Sequence, residues 1–167
     1  MTKQLHELHA WLADLSSAAL DAAVHGDEAF ASRLSALLNA YEPGLRWELD
    51  ENTLFVSPAH NKGLVDAATK LVLHFEQHPL PHLDVQLFKP RRGWEGEFAM
   101  QIDGRSVSID TRSWRYHLFV YDDGEVELEL VIPDEQRHLL ATAAPTVFLD
   151  SEVGEELAMK LLAITVV

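Results

Sequence analysis

The segment HFEQHPLPH places His74, His78 and His82 at intervals of four residues. That spacing lets two imidazoles on one helix face share a zinc ion. The surroundings argue against such a site. Glu76 follows His74 by two residues, which on a helix turns it roughly 160° away from the histidine it would assist. His78 precedes Pro79, and a proline disfavours helical backbone at the residue before it. His82 lies beyond two prolines. Histidines near a helix C-terminus also have a plain electrostatic role, because partial negative charge collects there. The stretch therefore reads as a helix end, with no metal ligand set. His6 and His9, one turn apart, read as the exposed flank of a helix.

Other routes to catalysis are equally thin. The chain contains no cysteine, which removes disulfides, thiol nucleophiles and thiolate metal sites together. No G-x-S-x-G elbow, phosphate-binding G-x-x-x-x-G-K-[ST] loop or G-x-G-x-x-G fingerprint occurs in the sequence, so no cofactor is implied. Ser57-Pro58 is followed by His60, but a nucleophile and base need a fixed hydrogen bond and an orienting third group, which proximity alone does not supply. His117 reads as a hydrogen-bonded histidine on the core side of a sheet. The residues point away from an enzyme and towards binding.

Charge is the stronger signal. Twenty-seven acidic residues against thirteen Lys and Arg give a formal net charge of -14, which repels phosphate backbones and makes nucleic acid an unsuitable partner. In EVELEL, Glu125, Glu127 and Glu129 alternate onto one strand face, with Tyr116, Leu118 and Val120 expected beside them. Aromatic and aliphatic anchors ringed by charge suit the docking of a basic protein partner. Basic residues gather elsewhere: Lys89, Arg91, Arg92, Arg105, Arg112 and Arg115 make residues 89–115 mildly positive. With Trp94 and Trp114 nearby, this stretch suits an anion-recognising edge or one half of a self-complementary contact. A rival reading is a small enzyme or binder of an anionic small molecule, its pocket built from Trp47, Arg91, Arg92 and Trp94, with Glu48 as acid or base. A homodimer through strand edges is compatible with either reading.

The elements that must position these residues follow from periodicity. Leu5, Leu8, Leu12, Leu15, Ala19 and Ala22 predict an amphipathic helix over 3–24. Asp27 caps a second helix carrying Phe30, Leu34, Leu37, Leu38 and Tyr41, which ends at Pro43-Gly44. The strands LRWEL and TLFVS follow, then a helix from Leu64 to Pro79 and an extended VQLFKP. Asp103-Gly104 and Asp123-Gly124 each mark a hairpin with a two-residue turn. In the first, Phe98, Met100 and Ile102 pair with Ile109, Val107 and Arg105. In the second, the same counting pairs His117, Phe119 and Tyr121 with Leu130, Leu128 and Val126, and sets Tyr116, Leu118 and Val120 across from Val131, Glu129 and Glu127. The C-terminal third predicts a helix over 134–142, an extended VFL, a helix over 151–162, and a final LAITVV returning to the sheet. Together these make one α+β domain over 1–167: an N-terminal helical hairpin and a mostly antiparallel sheet with two Asp-Gly hairpins, helices packed on one face. The apolar run LLAITVV is far too short to span a membrane, and the first thirty residues carry acids where a secretory signal needs an apolar core. A cytoplasmic location is the resulting expectation.

The order of pieces from LRWELDENTLFVSPAHNKGLVDAATKLV to VQLFKPRRGW resembles a family of bacterial cytosolic α+β proteins that have no assigned activity. The resemblance rests on Leu45, Trp47 and Glu48, on Ser57 and Asn61, on Pro79, and on Lys89, Pro90 and Arg91, and covers roughly residues 5 to 92. His60 stands where the family has glycine, and His78 where alanine precedes proline. The resemblance implies an α+β fold and, for some members, an immunity or toxin-neutralising role. It carries over no catalytic residue.

Overall fold

In a computed structural model, which describes residues 2–91 and 95–166 and the last five of these by backbone alone, the expected first helix is broken in two. Helix α1 (Lys3–Ala13) ends at Asp14, and α2 (Ser17–Val24) starts afresh from Ser16, whose extended backbone and side chain cap the amide of Ala19 at 3.2 Å. A serine hydroxyl offers the main chain a competing bond, so it favours a helix start over a helix interior. The apolar stripe continues across the break, which is why spacing alone predicts one helix. Asp27 caps α3 (Glu28–Tyr41) through Ala29 N and Phe30 N at 2.8 and 3.3 Å.

Strands β1 (Arg46–Asp50) and β2 (Thr53–Ser57) form an antiparallel hairpin with Leu49 opposite Leu54. A single 3-10 turn capped by Asn61 leads into α4 (Val65–Gln77), after which β3 (Asp84–Leu87) joins β2 in parallel. Leu54, Val56 and Val85 share one face of this sheet. They are buried in one cluster with Leu8 and Leu12 of α1, Leu34 and Leu38 of α3, and Leu71 and Phe75 of α4. At about 25 cal/mol per Å² of apolar surface, this burial is the main force holding the helices to the sheet.

The chain divides into two compact units, Met1–Lys89 and Pro90–Val167. The length alone suggests one core; the buried apolar residues instead form two clusters, one within each unit. The second unit opens with β4 (Glu97–Ile102) and β5 (Arg105–Asp110), in the register expected from a two-residue turn: Phe98 faces Ile109, and Met100 faces Val107. Both Asp103 and Gly104 have positive φ, at 50° and 75°, as that turn requires. Strands β6 (Arg115–Val120) and β7 (Val126–Val131) form the second hairpin, and β8 (Leu161–Val166) pairs with β7 in parallel. The whole is an α+β fold in which antiparallel pairing predominates.

Between β7 and β8 the structure corrects the expected elements. Residues 134–141 form 3-10 turns. The VFL segment, expected to be extended, lies inside α5 (Ala144–Val153). Pro145 sits in the first turn of that helix, where a proline costs no hydrogen bond, and Phe148 and Leu149 bury themselves in the second core. Gly154, at φ 82°, separates α5 from α6 (Glu155–Lys160).

Candidate interaction surface

The turn joining β6 to β7 decides which side chains stand together. Gly124 N donates to Tyr121 O at 2.9 Å and Tyr121 N donates to Glu125 O at 3.0 Å. Gly124 is left-handed at φ 84°, whereas Asp123 is not among the positive-φ residues. This is a three-residue loop, Asp122-Asp123-Gly124, with a glycine bulge, and not the two-residue turn expected from Asp-Gly. Asp123 secures it by accepting from Glu125 N at 3.0 Å. The ladder consequently shifts by one residue: His117 faces Glu129, Phe119 faces Glu127, and Leu118 faces Leu128.

A shift of one residue moves every side chain to the opposite face, so the expected partner surface is corrected. Tyr116, Leu118 and Val120 do not stand beside Glu127 and Glu129; they share the other face with Val126, Leu128 and Leu130. Tyr116 packs edge-on against Phe148, ring centroids 6.2 Å apart, and belongs to the second core. His117, expected on the core side, is exposed. The acidic face instead presents His117 and Phe119 from β6, and Tyr121 just past its end, alongside Glu127 and Glu129 from the central strand β7. The sequence signal for this was the alternation in VELELV, which pairs leucine with leucine only in the shifted register.

Both carboxylates on this face are held in place. The Tyr121 hydroxyl donates to Glu127 Oε2 at 2.8 Å, and His117 Nδ1 lies 2.8 Å from Glu129 Oε2. The hydrogen bond to Glu127 raises the Tyr121 phenol above its ordinary pKa, with burial and the charges of Glu127, Glu125 and Asp123 adding to it. Phe119 stands between these two pairs, 47% exposed. Glu125, Asp122 and Asp123 extend the negative charge around the hairpin tip, where all three are exposed.

Of the residues of the rival pocket, Trp47 and Glu48 belong to the first unit and Arg91 to the second. Trp47 and Glu48 are consecutive on β1 and so point to opposite faces of the strand. Trp47 serves the first core: its Nε1 donates to Ser35 Oγ at 2.9 Å, and its ring meets Phe30 edge-on. Arg91, in the second unit, is exposed and lies 3.9 Å from Glu152. Arg92 and Trp94 lie outside the described residues. Of the remaining basic stretch, Arg112 forms ion pairs with Glu97 and Asp110 at 2.7 and 2.6 Å. Its hydrogen bond and charge hold the Asp110 carboxyl down at about 2. Arg112 and Arg115 line a 400 Å³ groove together with Glu95 and Glu152, so its charge is mixed. Trp114 is buried in the second core, donating through Nε1 to Gln136.

The histidines of the opening segment do meet, with a partner that spacing did not reveal. His74 and His78 stack with centroids 4.6 Å apart, and His9 of α1 meets His74 edge-on at 5.1 Å. His78 is the C-cap of α4, bent out of helical geometry at φ -133° before Pro79, and its Nδ1 donates to His74 O at 3.0 Å. His9 Nε2 donates to His78 O at 3.2 Å. His82 lies apart, lining a groove with Pro79 and Leu83. Burial of His74, followed by the nearby His78 and His9, lowers its pKa. Among the described residues, no group of three or more His, Asp or Glu is arranged to hold a metal ion, and no helix is long and apolar enough to cross a membrane.

No protein-family model, curated protein or solved structure matches the chain.

Proposed function

We propose that this chain is a non-catalytic interaction module of the bacterial cytoplasm that binds a basic protein through the outer face of β6 and β7. The observation that carries the reading is the exposed Phe119 flanked by two carboxylates already fixed in position by Tyr121 and His117. Each carboxylate has about four lone-pair sites, of which these bonds use only one, so acceptors remain for incoming lysine or arginine. Fixing the carboxylates before binding lowers the ordering cost of a complex. Residues 121–131 contain five acids and no Lys or Arg, which steers a positively charged partner towards the face. A toxin-neutralising role, as the resemblance of residues 5 to 92 implies, is one form such a module takes.

The test is affinity capture from cells of the source organism at low salt, with wild-type chain and a Glu127→Lys/Glu129→Lys variant side by side. The expected result is a basic protein retained by the wild type and lost by the variant. Equal retention by both, or no retained protein, contradicts the proposal.

A further inference from the structure

The outer edge of β6 lacks, among the described residues, the usual protection of an edge strand. In the sheet order β6-β7-β8 it is an edge strand, and among the described residues no strand pairs with its outer side. Because Tyr121 N donates to Glu125 O, the alternation of an antiparallel ladder turns the main-chain groups of Tyr116, Leu118 and Val120 away from β7. The strand RYHLFV contains no proline or lysine, the residues that commonly block edge pairing. Instead Leu118, Phe119, Val120 and Tyr121 are 37, 47, 68 and 45% exposed. So much apolar surface beside unpaired main chain is a template for another strand.

The strand also carries a charge gradient. Arg115 stands at its start, while the neighbouring Arg112 is already paired with Glu97 and Asp110; Asp122, Asp123 and Glu125 lie just past its end. Two such strands side by side in parallel would set like charges together. Antiparallel, each basic end meets an acidic end, and the arrangement is self-complementary, as a two-fold interface demands. We propose that β6 pairs with β6 of a second copy of this chain, joining two three-stranded sheets into one continuous sheet. A two-fold axis at Leu118 sets Tyr116 opposite Val120 and Arg115 opposite Tyr121; one at Phe119 sets Arg115 opposite Asp123. Either register bonds the outward main-chain groups and brings Leu118 and Val120 beside their counterparts on the face opposite the carboxylates. The edge, not the acidic face, makes this contact, so dimer formation and partner binding are separable.

Sedimentation equilibrium over rising concentration at low salt tests this. The expected wild-type species has twice the 18.8 kDa mass of one chain. Val120→Lys, with folding checked by circular dichroism, is expected to be monomeric while still retaining the captured basic partner. Arg115→Glu is expected to weaken the dimer, and Arg115→Glu/Asp122→Lys to recover it. A wild-type chain that stays monomeric up to its solubility limit overturns the proposal. So does a dimer that survives both Val120→Lys and Arg115→Glu.

Discussion

At the scale of single residues, two groups give the structure a measurable signature. His74 has its pKa lowered from 6.5 by burial and by the neighbouring His78 and His9, so the unfolded chain takes up this proton before the folded one. Stability therefore falls as the pH drops below about 6.5 and through the lower folded value. In urea melts from pH 8 down to pH 5, His74→Leu should lose less stability than the wild type. An identical slope for both chains would remove His74 as the cause. Asp110, held at about 2 by Arg112, is a depressed carboxylate, so its contribution is present above its ordinary 3.8 and lost as the pH falls through about 2. Its carboxyl carbon, followed by NMR, should titrate near 2 and return towards the ordinary carboxylate range in Arg112→Ala. The histidine cluster also marks the limit of what local spacing encodes. His74 to His78 is a local spacing and was legible as a helix end. His9 comes from a helix 65 residues earlier, and only tertiary packing brings it there.

At the scale of elements, one loop residue governs the surface. The dipeptide Asp-Gly occurs in both hairpins, but it fills a two-residue turn at 103–104 and the last two places of a three-residue loop at 122–124. The dipeptide does not distinguish these loops. Asp123 can avoid the positive φ that Asp103 adopts because Asp122 supplies the extra residue. That is why the register of β4 and β5 is legible down to each pair, while that of β6 and β7 lies one residue away from the expected one. The boundary between α1 and α2 was hidden for a related reason: Ser16 interrupts the backbone without interrupting the apolar stripe. Gly124→Ala should cost about 1–2 kcal/mol, the penalty for placing a Cβ in left-handed backbone, measured by urea denaturation. Deleting Asp122 should leave Tyr121 opposite Glu125 across a two-residue turn, with His117 still beside Glu129. Cross-strand nuclear Overhauser contacts between His117 and Glu129 check this, and contacts from His117 to Leu130 would refute it.

At the scale of the whole molecule, the chain comprises two compact units with their own cores, and the proposed interaction surface lies entirely in the second. The first unit holds the histidine cluster and most of the residues on which the family resemblance rests. The α+β class was legible because helical and strand periodicities alternate plainly along the sequence. The division into units was not, since 167 residues suit a single core equally well. What unites the functional reading is that negative charge is both abundant and placed beside an exposed aromatic. The most direct measurement is the affinity of the captured basic partner for the wild type and for Glu127→Lys/Glu129→Lys, at about 50 mM and about 500 mM salt, where the screening length differs roughly threefold. Binding to the wild type should weaken about tenfold or more with added salt, and the variant should bind at least tenfold more weakly than the wild type at low salt. Equal affinities at low salt, or a wild-type affinity indifferent to salt, would contradict a working surface made of the β6 and β7 carboxylates.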